Sequence, residues 1–228
     1  MSAYDDLMVF QRETEALGQI AGRLGWDQET MMPRGAAEQR GEEMAAIEGV
    51  LHARRSDPRV GDWLAAAKPD DAVATAQLRE IRRSYARSTT VPAKLASEIA
   101  RGASVAQGIW AEARASEDWD TFQPVLENVV RLRREEGEAL ANGGDVYNAL
   151  LQDYEPGTTA DEVEAMFAAL RPGLVSLRER ILGSSVQPSQ LDAEFPEDGQ
   201  LALSAELATA FGYGTAHGRI DKAVHPFS

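Results

Sequence analysis

The run Leu7-Met8-Val9-Phe10-Gln11-Arg12-Glu13-Thr14-Glu15-Ala16-Leu17-Gly18-Gln19-Ile20-Ala21-Gly22-Arg23-Leu24 decides the fold class. Leu7, Phe10, Thr14, Leu17, Ile20 and Leu24 recur at steps of three and four, which places one apolar stripe on a long first helix. Gly25 and then Pro33-Arg34-Gly35 punctuate its end. The same periodicity continues outward. Met44, Ile47 and Leu51 mark a second helix from about Ala36, and Asp57-Pro58 opens a short third one with Val60 and Leu64. Ala74, Leu78, Ile81 and Tyr85 mark a fourth, ended by Thr89-Thr90-Val91-Pro92. Leu95, Ile99, Gly102, Ala106, Ile109 and Ala113 mark a fifth, whose small residues let a neighbouring helix approach closely. Phe122, Leu126, Val129 and Val130 mark a sixth. It is expected to be capped by Asp120 or Thr121, with Pro124 in its first turn and Asn142-Gly143-Gly144 as its end.

A short helix is expected around Tyr147–Leu151, followed by a turn at Tyr154-Glu155-Pro156-Gly157. Thr159-Ala160-Asp161-Glu162 reads as a capping box. Behind it Val163, Phe167, Leu170, Leu174, Leu177 and Ile181 make another amphipathic helix, with a kink or break expected at Pro172-Gly173. Leu203, Leu207 and Phe211 give a last helix ending at Gly212. From Tyr213 the pattern changes to an extended segment or one strand of a small sheet. The fold class is therefore all-α, an irregular multi-helix domain over residues 1–212 with a short extended segment over 213–228. No fixed-period repeat and no sustained heptad pattern is evident.

The composition bounds function. With 228 residues and 43% hydrophobic content, the chain is long enough for one large or two small cores. The net charge of −14 argues against a nucleic-acid partner and against an anionic membrane surface. No apolar run approaches the roughly 20 residues that span a bilayer. Met1-Ser2-Ala3-Tyr4-Asp5-Asp6 has no basic or apolar leader character, so a cytoplasmic protein is expected. The absence of cysteine excludes disulfides and thiolate metal sites.

Candidate chemistry is sparse. The three histidines are His52, His217 and His225. No two are four apart on a helix, and there is no His-Glu-x-x-His. No nucleophile elbow and no phosphate-binding glycine loop is present. No catalytic and no metal-ligating residue is therefore assigned. Four segments stand out from generic helix. Trp26-Asp27-Gln28-Glu29-Thr30-Met31-Met32-Pro33 reads as an interhelical turn whose Trp and Met fill core while Asp27 caps. Glu80-Ile81-Arg82-Arg83-Ser84-Tyr85 is a helical face with an aromatic at the core edge. Tyr147 to Gly157 reads as a helix and turn whose tyrosines pack. The fourth is Gly218-Arg219-Ile220-Asp221-Lys222-Ala223-Val224-His225-Pro226-Phe227.

In this order and spacing the four segments resemble the thermostable carboxypeptidase Taq family of zinc metallocarboxypeptidases. The resemblance covers nearly the whole chain. It is carried mainly by Trp26–Pro33, Asp153–Gly157 and the Gly-Arg-Ile-Asp to His-Pro-Phe ending. It implies half of a neurolysin-like, cleft-forming helical fold and a parent enzyme that removes C-terminal amino acids from peptides with broad specificity. It further implies a cytoplasmic homodimer, and zinc (or cobalt in its place) held by the two histidines of His-Glu-x-x-His and a later Glu. The motif's Glu would act as general base on the metal-bound water.

Of the family's active-site motifs only His-Pro-Phe maps here, which makes His225 and Phe227 the candidate substrate-binding residues. Asn148 stands where an Asp is expected in relatives. The chain therefore reads as an N-terminal portion cut before the zinc motif. It is expected to bind no metal, to be inactive alone, and to self-associate through apolar faces. The alternative is a stand-alone helical interaction or oligomerisation module without enzymatic activity.

Overall fold

The computed structural model describes residues 2–186, 188–189 and 192–225. Two compact units divide it, Met1–Thr159 and Ala160–Ser228. The first holds α1 (Ala3–Thr30), a 3-10 turn (Arg34–Ala36), α2 (Ala37–Arg55), α3 (Pro58–Ala66), α4 (Ala72–Thr90), α5 (Ala93–Ser116), α6 (Trp119–Ala141) and α7 (Val146–Leu151). The second holds α8 (Ala160–Leu182) and α9 (Glu197–Ala210). No strand forms among the described residues, and those past Gly212 make turns and irregular chain rather than a paired strand.

Side-chain caps fix most helix starts. Ser2 accepts from the Asp5 amide while Asp5 accepts from the Ser2 amide, a reciprocal capping box. Asp57, Asp71, Asp118 and Asp145 cap α3, α4, α6 and α7 in the same acceptor role. The cap of α6 is thus Asp118, not Asp120 or Thr121. The helix begins earlier than the hydrophobic pattern indicates, because Asp118 takes both the amide and the hydroxyl proton of Thr121, at 3.1 and 2.6 Å. Pro124 accordingly lies in the second turn, where it removes one ladder hydrogen bond without ending the helix. Asn142 and Gly143 stop α6 with φ of 46° and 85°, the left-handed region that Asn and Gly enter most readily.

The core of the first unit has two centres. Leu7 and Phe10 of α1, Val60 and Leu64 of α3 and Leu78 of α4 form one, with Tyr85 packed at its edge as the sequence indicates. Val91, Leu95 and Leu132 form the other, where α5 meets α6. The first-helix stripe is only partly realised. Leu7, Phe10 and Thr14 are buried, but Ile20 is 45% exposed. Small residues bring α2, α5 and α6 together. A Cβ on Gly41 would lie 3.0 Å from Val105 Cγ2, and one on Gly102 would lie 3.3 Å from Leu132 Cδ1.

In the second unit α8 runs unbroken through Pro172-Gly173, where a kink or break is expected from sequence. Pro172 forfeits one backbone bond, and the flanking turns still close around it. Neither α8 nor α9 contains a buried residue.

Candidate functional site

Two of the segments that distinguish this sequence, Trp26–Thr30 and Asp153–Gly157, carry polar tertiary bonds. Trp26–Thr30 is not an interhelical turn but the last part of α1, which continues past Gly25. Tertiary bonds outweigh the cost of a mid-helix glycine, about 1 kcal/mol. Asp27 does not cap. Its carboxylate accepts from Arg40 Nη2 at 2.6 Å. Arg40, buried on α2, also donates to Glu43 Oε2 at 2.9 Å and to the Leu24 carbonyl. Gln28 Nε2 donates to the Ser104 carbonyl at 2.9 Å, and Ser104 Oγ donates back to Gln28 Oε1 at 2.7 Å. Gln107 donates to Glu29 Oε2 at 2.7 Å. One helical turn of α1 is thereby bolted to both α2 and α5. Met31 is exposed, so it fills no core.

A second hub lies under the Asp153–Gly157 turn. Arg87 of α4 reaches Glu136 Oε1 and Asp153 Oδ2, each at 2.7 Å. Glu136 is only 6% exposed, and its other oxygen accepts from Arg133 at 2.7 Å. Two guanidinium groups thus hold a buried carboxylate, the pairing that burial of a charge requires. Arg83 donates to the Gln152 carbonyl at 2.8 Å. Gln152 closes the turn itself, donating to the Thr158 carbonyl at 2.9 Å and accepting from the Gly157 amide at 2.7 Å. Gly157 sits at φ 87°, a conformation suited to glycine. The tyrosines do not pack as expected: Tyr154 is 82% exposed and Tyr147 is also exposed.

A cavity of about 500 Å³ opens beside Arg87, between α1, α2, α4, α5 and α6. Glu48, His52, Arg55 and Glu136 line it. Burial pushes the Glu48 carboxyl above its ordinary range, against the pull of Arg55 and His52. His52 Nε2 lies 2.7 Å from the Val91 carbonyl, which can only accept, so this nitrogen carries the proton.

In the last described segment, Tyr213 donates to the Arg219 carbonyl at 3.2 Å, and Arg219 pairs with Asp221 at 2.6 Å. Lys222 pairs with Glu197. His225 is exposed at the end of the described residues. Phe227 lies outside them. His52 belongs to the first unit, His217 and His225 to the second. Among the described residues no group of three or more His, Cys, Asp or Glu side chains is arranged to hold a metal ion, and no helix is long and apolar enough to cross a membrane.

Sequence reasoning missed Arg40, Arg87 and Glu136. Two of them carried a readable signal. Arg40 falls in register with Met44, Ile47 and Leu51, and Glu136 with Leu132 and Leu140, so each is a charge on a buried stripe.

The chain belongs to the carboxypeptidase Taq (M32) metallopeptidase family, whose model matches residues 6–228. It is 40% identical to thermostable carboxypeptidase 1 of Thermus thermophilus, over 99% of this chain and 48% of that protein. It superposes on the M32 carboxypeptidase of Deinococcus radiodurans R1 with a TM-score of 0.76 at 29% identity, covering 99% of this chain and 46% of that one. A carboxypeptidase of Pyrococcus furiosus matches with a TM-score of 0.80 over 100% of this chain and 47% of that one; at 24% identity this shows the fold alone. The chain thus spans about half the length of the relatives it matches. The family is one of metallopeptidases, which implies a metal cofactor, and the described residues do not supply a ligand set that fits one.

Proposed function

We propose that this chain is the N-terminal part of a zinc-dependent metallocarboxypeptidase that removes C-terminal amino acids from peptides with broad specificity. The observation that carries the reading is the family match over residues 6–228 in a chain that spans 48% of its 40%-identical relative. On this reading the helices of the first unit form one wall of a peptide cleft. Residues 213–228 begin the catalytic region, with His225 and Phe227 on the substrate side. His225 can donate or accept one hydrogen bond to a peptide. The zinc, replaceable by cobalt, belongs to a His-Glu-x-x-His that this sequence lacks. Activation of water needs that metal and base, so the chain alone is inactive. The parent enzyme is cytoplasmic and homodimeric.

The test is a full-length chimera in which this chain replaces the matching part of the Thermus thermophilus relative. Metal-dependent, chelator-sensitive release of the C-terminal residue from a blocked dipeptide is expected. A folded chimera without such release contradicts the reading.

A further inference from the structure

The apolar face of α8 is long and open to solvent. Val163, Phe167, Leu170, Leu174, Leu177 and Ile181 follow one another at steps of three and four, with Met166 on the same face. At 100° per residue they fall within an arc of about 100°, and they run for roughly 27 Å along the axis. Apart from Val163, which is half-buried, every one of them is exposed. α8 and α9 do not pack along each other within their unit. Leucine and phenylalanine at such spacing stay in water only at a steep penalty, about 1.5–3 kcal/mol for each side chain that could be buried. An exposed apolar patch this long marks an interface.

What covers it is indicated by the superposition. Ninety-nine per cent of this chain, α8 included, matches the Deinococcus radiodurans enzyme, yet this accounts for 46% of that fold. More than half of the relative's architecture therefore has no counterpart here. We infer that the α8 face from Val163 to Ile181 is the seam on which the remaining, metal-bearing portion of the carboxypeptidase packs, with a helix of matching apolar stripe as its occupant. This rests on the reading of the chain as one part of such an enzyme. The polar positions support a one-sided seam. Glu164, Arg171, Arg178 and Glu179 lie off the stripe, so docking buries apolar surface without burying an unpaired charge.

The test compares the isolated chain with the chimera described above. In the isolated chain, held dilute enough to be monomeric, the double substitution Leu170→Glu, Leu174→Glu leaves the thermal midpoint unchanged, because both side chains then face water, and reduces binding of a hydrophobic dye. In the chimera the same pair lowers the midpoint by about 10 °C, since two carboxylates are forced into an apolar seam. Val73→Glu, an exposed apolar position on α4, shifts neither protein. No shift in the chimera, or a shift equal to that of Val73→Glu, overturns the inference, as does a chimera that stays insoluble. A chimera that goes from dimer to monomer with its midpoint unchanged also overturns it and makes a second copy the occupant. An inactive chimera whose stability still depends on Leu170 and Leu174 leaves the seam standing and removes only the catalytic reading.

Discussion

At the scale of single residues, Arg87 is the side chain on which most depends. It joins α4 to the buried Glu136 of α6 and to Asp153 at the mouth of the Asp153–Gly157 turn. Arg87→Met leaves Glu136 with Arg133 alone and frees Asp153. Loss of about 2–4 kcal/mol is expected in denaturant unfolding, together with faster amide exchange over 153–158. Glu48 gives a prediction of opposite sign. Its carboxyl is held above its ordinary range by burial. A group shifted upward contributes stability below its unfolded pKa and loses it as pH rises through the folded one. Glu48→Gln should therefore be more stable than the native chain near neutral pH. The difference should vanish below about pH 4, where the native carboxyl is protonated in both states. Thermal midpoints between pH 3 and 8 check this. The start of α3 was legible at Asp57-Pro58, because helix starts are set locally, whereas the Ser2/Asp5 capping box emerged only with the structure. It did not reveal Asp27 as a partner of Arg40, because a carboxylate near a helix end satisfies local and distant donors equally well.

Among the elements, those set by local chemistry follow the sequence closely, and departures occur where distant contacts take over. α1 outruns Gly25 because Gln28, Glu29 and Asp27 are gripped by α5 and α2. α8 also runs through Pro172, and since the helix holds no buried residue, no distant contact accounts for that departure. The small residues of α5 correctly foretell close packing, and a further tight approach lies between α6 and α7. A Cβ on Gly137 would sit 2.7 Å from Val146 Cγ1 and 3.1 Å from Leu150 Cδ1. Gly137→Ala gains about 1 kcal/mol of helix propensity, but overpacking of a rigid β-branched neighbour costs about 1–3 kcal/mol. A net loss of stability is expected, with α7 released from α6 in hydrogen exchange. Gly173→Ala on α8, where a Cβ meets nothing within 4 Å, serves as the comparison.

For the whole molecule, the helical class, the order of the elements and the family were readable from residues alone. Amphipathic spacing reports burial directly, and the Trp26–Pro33 and Asp153–Gly157 segments are specific in combination. The division at Thr159/Ala160 was not readable, because α8 carries the periodic apolar stripe of a packed helix and only the structure shows that stripe facing solvent. The consequence is physical: the isolated chain should bind a hydrophobic dye and self-associate, as light scattering would register. The central claim is that the chain carries scaffold and cleft wall while metal and base lie elsewhere in the enzyme. Hydrolysis of a blocked dipeptide by the purified 228-residue chain, with zinc or cobalt added, tests it most directly. No metal-dependent turnover is expected. Turnover that rises with added metal and is abolished by a chelator would contradict it.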